Sequence, residues 1–160
     1  PITISACDNG MLYSSKAFDS LFKDDSIDVI VWTAKKYPGA IRNPQMYGWV
    51  NTYKDKNLIK NVSVKKPLDN PKDDLIVVGT FTFKKLEYLF DSVERMKSRK
   101  GLVNDEYYID TCINDCIEMG LKCVSFEIDS YICWGTPNDL ATYHYWESCF
   151  NKWNSHPFNK

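Results

Sequence analysis

An aspartate, Asp8, closes the apolar run ITISAC. A carboxylate at the C-terminal end of a buried strand stands where open α/β sheets place their ligand sites, and it suits a hard divalent cation. The other reading is a turn or helix-capping aspartate. Lys65, Lys66 and Pro67 close another strand-like run. As a bare dipeptide the lysines form a solvated edge, and since adjacent strand residues point to opposite faces, only one of them can face a pocket. Gly48 in MYGWV and Gly79 in VVGTFTF interrupt strand patterns, the mark of a bulge or a close backbone approach. Glu106 in VNDEYYID either accepts paired hydrogen bonds from hydroxyls or, with Asp105, complements a helix dipole. Asp129 and Cys133 lie within FEIDSYICWGTPNDL.

Other reactive side chains read as structural. Cys112 and Cys116 can share one helix face as metal ligands or, with no histidine near to complete a zinc set, act as small buried hydrophobes. His144 and His156 have no surroundings that suggest a nucleophilic triad. His144 reads as a partly buried helix residue, and Tyr143, Tyr145 and Trp146 as core or helix-packing aromatics.

The elements that must position these groups alternate between strand and helix, the signature of an α/β sheet. ITISACD reads as a buried strand, SSKAFDSLFKDD as a serine-capped helix, IDVIVWTA as a strand covered on both faces, and KKYPGAIRNPQ as a loop. MYGWVNTYKDKNLIKNVSVKK reads as two antiparallel strands around a turn at Asp55–Asn57, and DNPKDD as a further turn. LIVVGTFTF is a buried strand, followed by an amphipathic helix from Lys85 to Lys100 stopped by Gly101. YYIDTCINDCIEMG is a helix ended by Gly120, LKCVSFEID a strand, and Pro137 opens a last helix that runs to Trp153. Residues 154–160 read as a tail. The expected fold is a mixed, mostly parallel sheet flanked by helices, with an antiparallel insertion, in one domain over residues 1–153.

Composition bounds the function. A chain of 160 residues, 44% hydrophobic with a formal net charge of -1, holds one soluble core. It lacks the basic face that nucleic acid binding needs and any apolar run long enough for a membrane span. Six cysteines without CxxC pairing fit a reducing cytoplasm.

In order, VSVKKPL, VVGTFTF, VNDEYYIDTCIN and FEIDSYICWGTPNDL resemble the sugar-binding, C-terminal half of a nucleotidyltransferase of the GT-A type. The resemblance implies an enzyme that joins a nucleoside triphosphate to a sugar 1-phosphate and releases pyrophosphate, in a surface polysaccharide pathway. It implies Asp8 as the Mg2+ ligand, Lys66 on the acceptor phosphate, Gly48 and Gly79 against the sugar, and Glu106 on its hydroxyls. Where the family usually has a second metal-binding aspartate this chain has Cys133, which leaves Asp129 or no second ligand. The family's opening G-x-G-x-R loop does not occur in the sequence. The expectation is therefore a fragment, inactive alone, with a missing N-terminal segment or a second copy as partner. The alternatives are a GT-A glycosyltransferase consuming a nucleotide sugar and a non-catalytic sugar-phosphate-binding domain.

Overall fold

The computed structural model describes residues 1–54 and 57–155. The expected turn residues Asp55 and Lys56, and His156 with the rest of the tail from 156, lie outside the described residues. At the centre run β3 (Val29–Ala34), with all six residues buried, and β6 (Leu75–Phe83), paired antiparallel. β7 (Cys123–Glu127) lies parallel to β3 on its other side. β4 (Gly48–Thr52) joins β6 and carries β5 (Ile59–Val64) outward, both antiparallel. The order is β5-β4-β6-β3-β7, and β1 (Ile2–Ser5) also pairs with β6.

The mixed α/β sheet stands as expected. Its parallel pairing is confined to β3 and β7, because continuous apolar runs report burial on both faces and not strand direction. Alternation along β3 serves two cores. Val29 and Val31 pack with Phe81, Phe83, Leu89 and Ile113 on one face, while Ile30 and Trp32 pack with Trp49, Ile76 and Phe126 on the other. The first face is covered by α3 (Leu86–Ser98) and α4 (Ile109–Glu118), the second by Phe18, Leu21 and Phe22 of α1 (Ser15–Phe22), whose Ser14 accepts from the Ala17 N–H as an N-cap.

Between α3 and α4 lies a buried ion pair. Asp115 is fully buried, and its oxygens accept from Arg99 Nε at 2.6 Å and Nη2 at 2.7 Å. That hydrogen bonding raises the Arg99 pKa. Cys112 and Cys116 are buried beside it and behave as small hydrophobes, burial pushing the Cys112 thiol up to about 12.

β6 is bent where the site lies. Opposite Trp32 of β3 it carries three residues, Val78 to Thr80, between the Val31–Phe81 and Thr33–Val77 pairs. At the bend Gly79 has φ +76°, and a Cβ there would sit 3.0 Å from the Ala6 Cβ. A left-handed conformation costs a non-glycine residue about 1–2 kcal/mol. Gly79→Ala is therefore expected to destabilise the fold by at least about that much, read as a lowered denaturation midpoint.

Several expectations need correction. The expected loop at 35–45 holds α2 (Pro38–Arg42) and most of a 3₁₀ turn at Pro44–Met46, each begun by a proline that needs no N–H partner. The first strand ends at Ser5, and a second short strand, β2 (Asn9–Leu12), pairs with β8 (Ser130–Cys133). The residue that turns the chain at the end of α3 is Lys100, at φ 55°. Gly101 follows it and donates its N–H to the Met96 carbonyl. α5 (Pro137–Lys152) has no buried residue, so Tyr145 and Trp146 are exposed, not core, and His144 is exposed beside Glu147.

Candidate functional site

The sheet is split on one side of β6. β4 pairs with Leu75 and Ile76, β1 with Thr80 to Phe83, and the Ala6 N–H donates to the Gly79 carbonyl. Val77 and Val78 fall between the two partners. The chain leaves β1 toward this opening and turns through Asp8, while β4 starts from it at Gly48. The carboxyl end of a sheet strand, as at the end of β1, is where α/β folds bind ligands. Gly48 and Gly79 flank this opening, and Asp8 follows the end of β1 that reaches it. Asn9 holds the crevice from the β1 side, its Nδ2 donating to the Val78 carbonyl at 2.9 Å.

The β2–β8 ribbon fixes Asp8. Asn9 pairs with Cys133, and the Trp134 N–H donates to the Asp8 carbonyl at 2.8 Å. Its carboxylate is left exposed next to Gly135, where a Cβ would lie 2.9 Å from Asp8 Oδ2. That recess fits a magnesium ion held by one carboxylate plus phosphate oxygens. Among the described residues no group of three or more His, Cys, Asp or Glu is placed to hold a metal.

Asp129 is not brought to Asp8. Its N–H donates to the Leu12 carbonyl at the far end of the ribbon, where Leu12 pairs with Ser130. Three residue steps separate the ribbon's ends, about 10 Å at the usual rise of a strand. The carboxylate beside Cys133 is Asp139, in the first turn of α5, with Oδ2 3.8 Å from Cys133 Sγ. Asp139 is engaged by Thr136, whose hydroxyl donates to it at 2.7 Å.

Lys65 and Lys66 both line one open cavity of about 660 Å³, with Gln45, Met46, Asn104 and Tyr108. The expectation that only Lys66 faces it fails because β5 ends at Val64 and Lys65 is left-handed, at φ 59°. Lys65 Nζ donates to the Met46 carbonyl at 2.7 Å and lies 5.3 Å above the Tyr108 ring, whereas Lys66 is exposed. Glu106 lies at the rim, exposed, before α4 and not in its first turn. The Tyr108 hydroxyl donates to it, which raises the tyrosine's pKa.

Sequence reasoning missed Asp110. Its carboxylate fills the space that a Cβ at Gly48 would take, and burial raises its pKa. A glycine opposite an acid gave no signal without knowledge of the pairing. Also missed was a second cleft of about 610 Å³ between α2 and α5, lined by Tyr37, Arg42, Tyr131, Cys133, Asp139 and Trp146. Tyr37, Tyr47 and Tyr131 crowd around the Cys133 thiol. Burial and nearby negative charge raise all three phenols, Tyr47 to about 12. These rings come from three separate segments, and only the folded chain joins them.

This is the fold of the sugar-phosphate and related nucleotidyltransferases. The solved structures it resembles include a nucleoside-diphosphate-sugar pyrophosphorylase from Vibrio cholerae RC9, with a TM-score of 0.69 at 15% identity over 89% of this chain and 55% of that one. An inositol-1-phosphate CTP transferase from T. maritima gives 0.59 at 15% identity, over 89% and 52%. A UTP-bound UGPase from Acinetobacter baumannii gives 0.60 at 14% identity, over 90% and 50%. The chain thus spans about half the length of the structures it matches. No protein-family model and no curated protein matches it.

Proposed function

We propose that the chain is the metal- and acceptor-binding part of a nucleotidyltransferase that converts a nucleoside triphosphate and a sugar 1-phosphate to a nucleotide sugar and pyrophosphate. The observation that carries this reading is the split beside β6, which Gly48 and Gly79 flank and to which the chain leads through Asp8, with the Lys65 N–H on the Tyr47 carbonyl beside Gly48. An acceptor phosphate oxygen attacks the α-phosphorus, the bond to the β-phosphate's bridging oxygen breaks, and pyrophosphate leaves. Such chemistry needs positioning and charge neutralisation more than covalent help.

In this reading Asp8 holds the magnesium ion, which neutralises charge on the phosphates. Lys66, free of any hydrogen bond from its ammonium among those described, takes the acceptor phosphate, and Lys65 stiffens the loop beneath it. Glu106 receives the sugar's hydroxyls, whereas Gly48 is closed to the sugar by the Asp110 carboxylate and Gly79 faces Ala6. Cys133 supplies no ligand for magnesium. A role in surface polysaccharide synthesis and a cytoplasmic location go with this reading. Supporting the latter, all six cysteines are free thiols.

The triphosphate-binding part of the reaction belongs, in this proposal, to sequence N-terminal to Pro1, and residues 1–160 alone are inactive. The test is pyrophosphate release, with magnesium and a panel of triphosphates and sugar 1-phosphates, by the polypeptide extended through its in-frame upstream coding sequence. Release with a matched pair supports the reading. No release with any pair contradicts it.

A further inference from the structure

We propose that Asp110 is a contact for the acceptor: its carboxylate, set into the space that a Gly48 side chain would take, accepts a hydrogen bond from a hydroxyl of the sugar 1-phosphate. The proposal rests on the nucleotidyltransferase reading and adds to it a residue that recognises the sugar and not its phosphate.

The position of the carboxylate follows from the ladder. β4 pairs with β6 through Trp49–Ile76 and Val50–Leu75, and the same register brings Gly48 beside Val77. A Cβ on Gly48 would lie 3.3 Å from Val77 Cγ2, so it would point to the face of the sheet that Val77 shares with α3 and α4. Asp110, in the first turn of α4, reaches onto that face and fills the space instead. Val77 is also where the sheet opens, one residue past the last that β4 pairs. On the other side lies the lysine cavity, which Tyr108, two residues before Asp110, helps to line. The carboxylate thus stands between the opening that the chain reaches through Asp8 and the cavity of Lys65 and Lys66.

Its surroundings leave it short of donors. Burial raises its pKa, and against this act only its own backbone N–H and the charge of Lys65. The Lys65 ammonium is itself engaged, donating to the Met46 carbonyl at 2.7 Å. A carboxylate offers about four acceptor sites, and buried polar groups in native proteins find partners. Donors that the protein does not supply come from solvent or from whatever occupies the site. The charge of the carboxylate selects among parts of the acceptor, since it repels the phosphate, which goes to the lysines and the ion at Asp8, and it attracts a hydroxyl.

The competing role for a first-turn acid is to complement the helix dipole. That role needs charge near the start of α4 and makes no demand on β4. Here the carboxylate is turned into the sheet, and it fits because residue 48 has no side chain to expel it.

The test uses residues 1–160, titrated with glucose, galactose and mannose 1-phosphates and with inorganic phosphate, and followed by NMR. Asp110→Asn keeps the shape and removes the charge. It should weaken at least one sugar 1-phosphate by about tenfold, the size of a lost hydrogen bond to a charged group, and leave inorganic phosphate within about twofold. Among singly deoxygenated forms of the tightest sugar, one should bind the native chain about tenfold more weakly and lose nothing further with Asp110→Asn, because both changes delete one contact. In the native chain the Asp110 carboxyl carbon should shift more with the sugar 1-phosphate than with inorganic phosphate. Equal weakening of both ligands would mean that Asp110 acts only through Lys65, and it overturns the proposal. So does unchanged affinity for every sugar, or no saturable binding of any of the three. If circular dichroism shows that Asp110→Asn has lost the fold, the carboxyl shift decides, and equal shifts with the two probes overturn the proposal. No triphosphate enters this readout. Asp110-dependent sugar binding without pyrophosphate release by the extended protein would fault the proposed reaction and keep the contact. Release with an unchanged acceptor KM in Asp110→Asn would do the reverse.

Discussion

Asp8→Asn should reduce magnesium-dependent pyrophosphate release by the extended protein by on the order of 10²–10³-fold or more, since a metal ion's charge stabilisation is worth several kcal/mol and each 1.36 kcal/mol is tenfold in rate. The substitution keeps the shape and removes the charge that anchors the ion. Stability should change by less than about 0.5 kcal/mol, because the carboxylate is exposed and only the Asp8 backbone carbonyl ties the ribbon. Asp129→Asn is the contrasting variant. At the far end of the ribbon, it should leave the rate within about twofold, a change worth less than about 0.5 kcal/mol. A large loss from Asp129→Asn with little from Asp8→Asn would place the metal elsewhere.

The largest expected effect on stability is at Arg99. Arg99→Ala leaves the Asp115 carboxylate fully buried, with only Arg95 Nε at 3.8 Å for company. Removing one partner of a buried pair costs about 3–5 kcal/mol, and the remaining Arg95 contact argues for the lower end. Asp115→Ala should cost less, because the Arg99 side chain is 41% exposed and can turn its charge to water. Chemical denaturation of the two variants measures that difference. Equal losses would mean that the pair acts through packing and not through an uncompensated charge.

Much of the fold was legible because its elements announce themselves locally. VIVWTA and LIVVGTFTF are too continuously apolar to be anything but covered strands, and α3 and α4 carry their apolar residues at helical intervals. The β2–β8 ribbon was not legible. Its strands have four residues each and mixed polarity, and only their distant pairing makes them strands. That omission had a cost at the site, since the ribbon carries Asp129 away from Asp8 and places Asp139 by Cys133.

Lys65 shows the same limit at a single residue. Strand alternation sends neighbouring side chains apart only while the strand continues, and the left-handed turn after Val64 ends it two residues earlier than the pattern suggests. The aromatics of α5 read as core or helix-packing, yet they are exposed, and Tyr143, Trp146 and Phe150, at helical spacing, line the open cleft beside α2. Gly79, in contrast, reads from its position as a bulge or a close backbone approach, and the structure has the bulge.

The most direct test of the account is a titration of residues 1–160 with Mn²⁺, a paramagnetic stand-in for magnesium, followed by amide NMR with a sugar 1-phosphate present. The account predicts selective broadening at Asp8, Asn9, Trp134 and Gly135, abolished by Asp8→Asn, with shifts at Lys65 and Lys66 on addition of the sugar phosphate. Broadening centred on Asp129 and Ser130, or none that depends on Asp8, would contradict it.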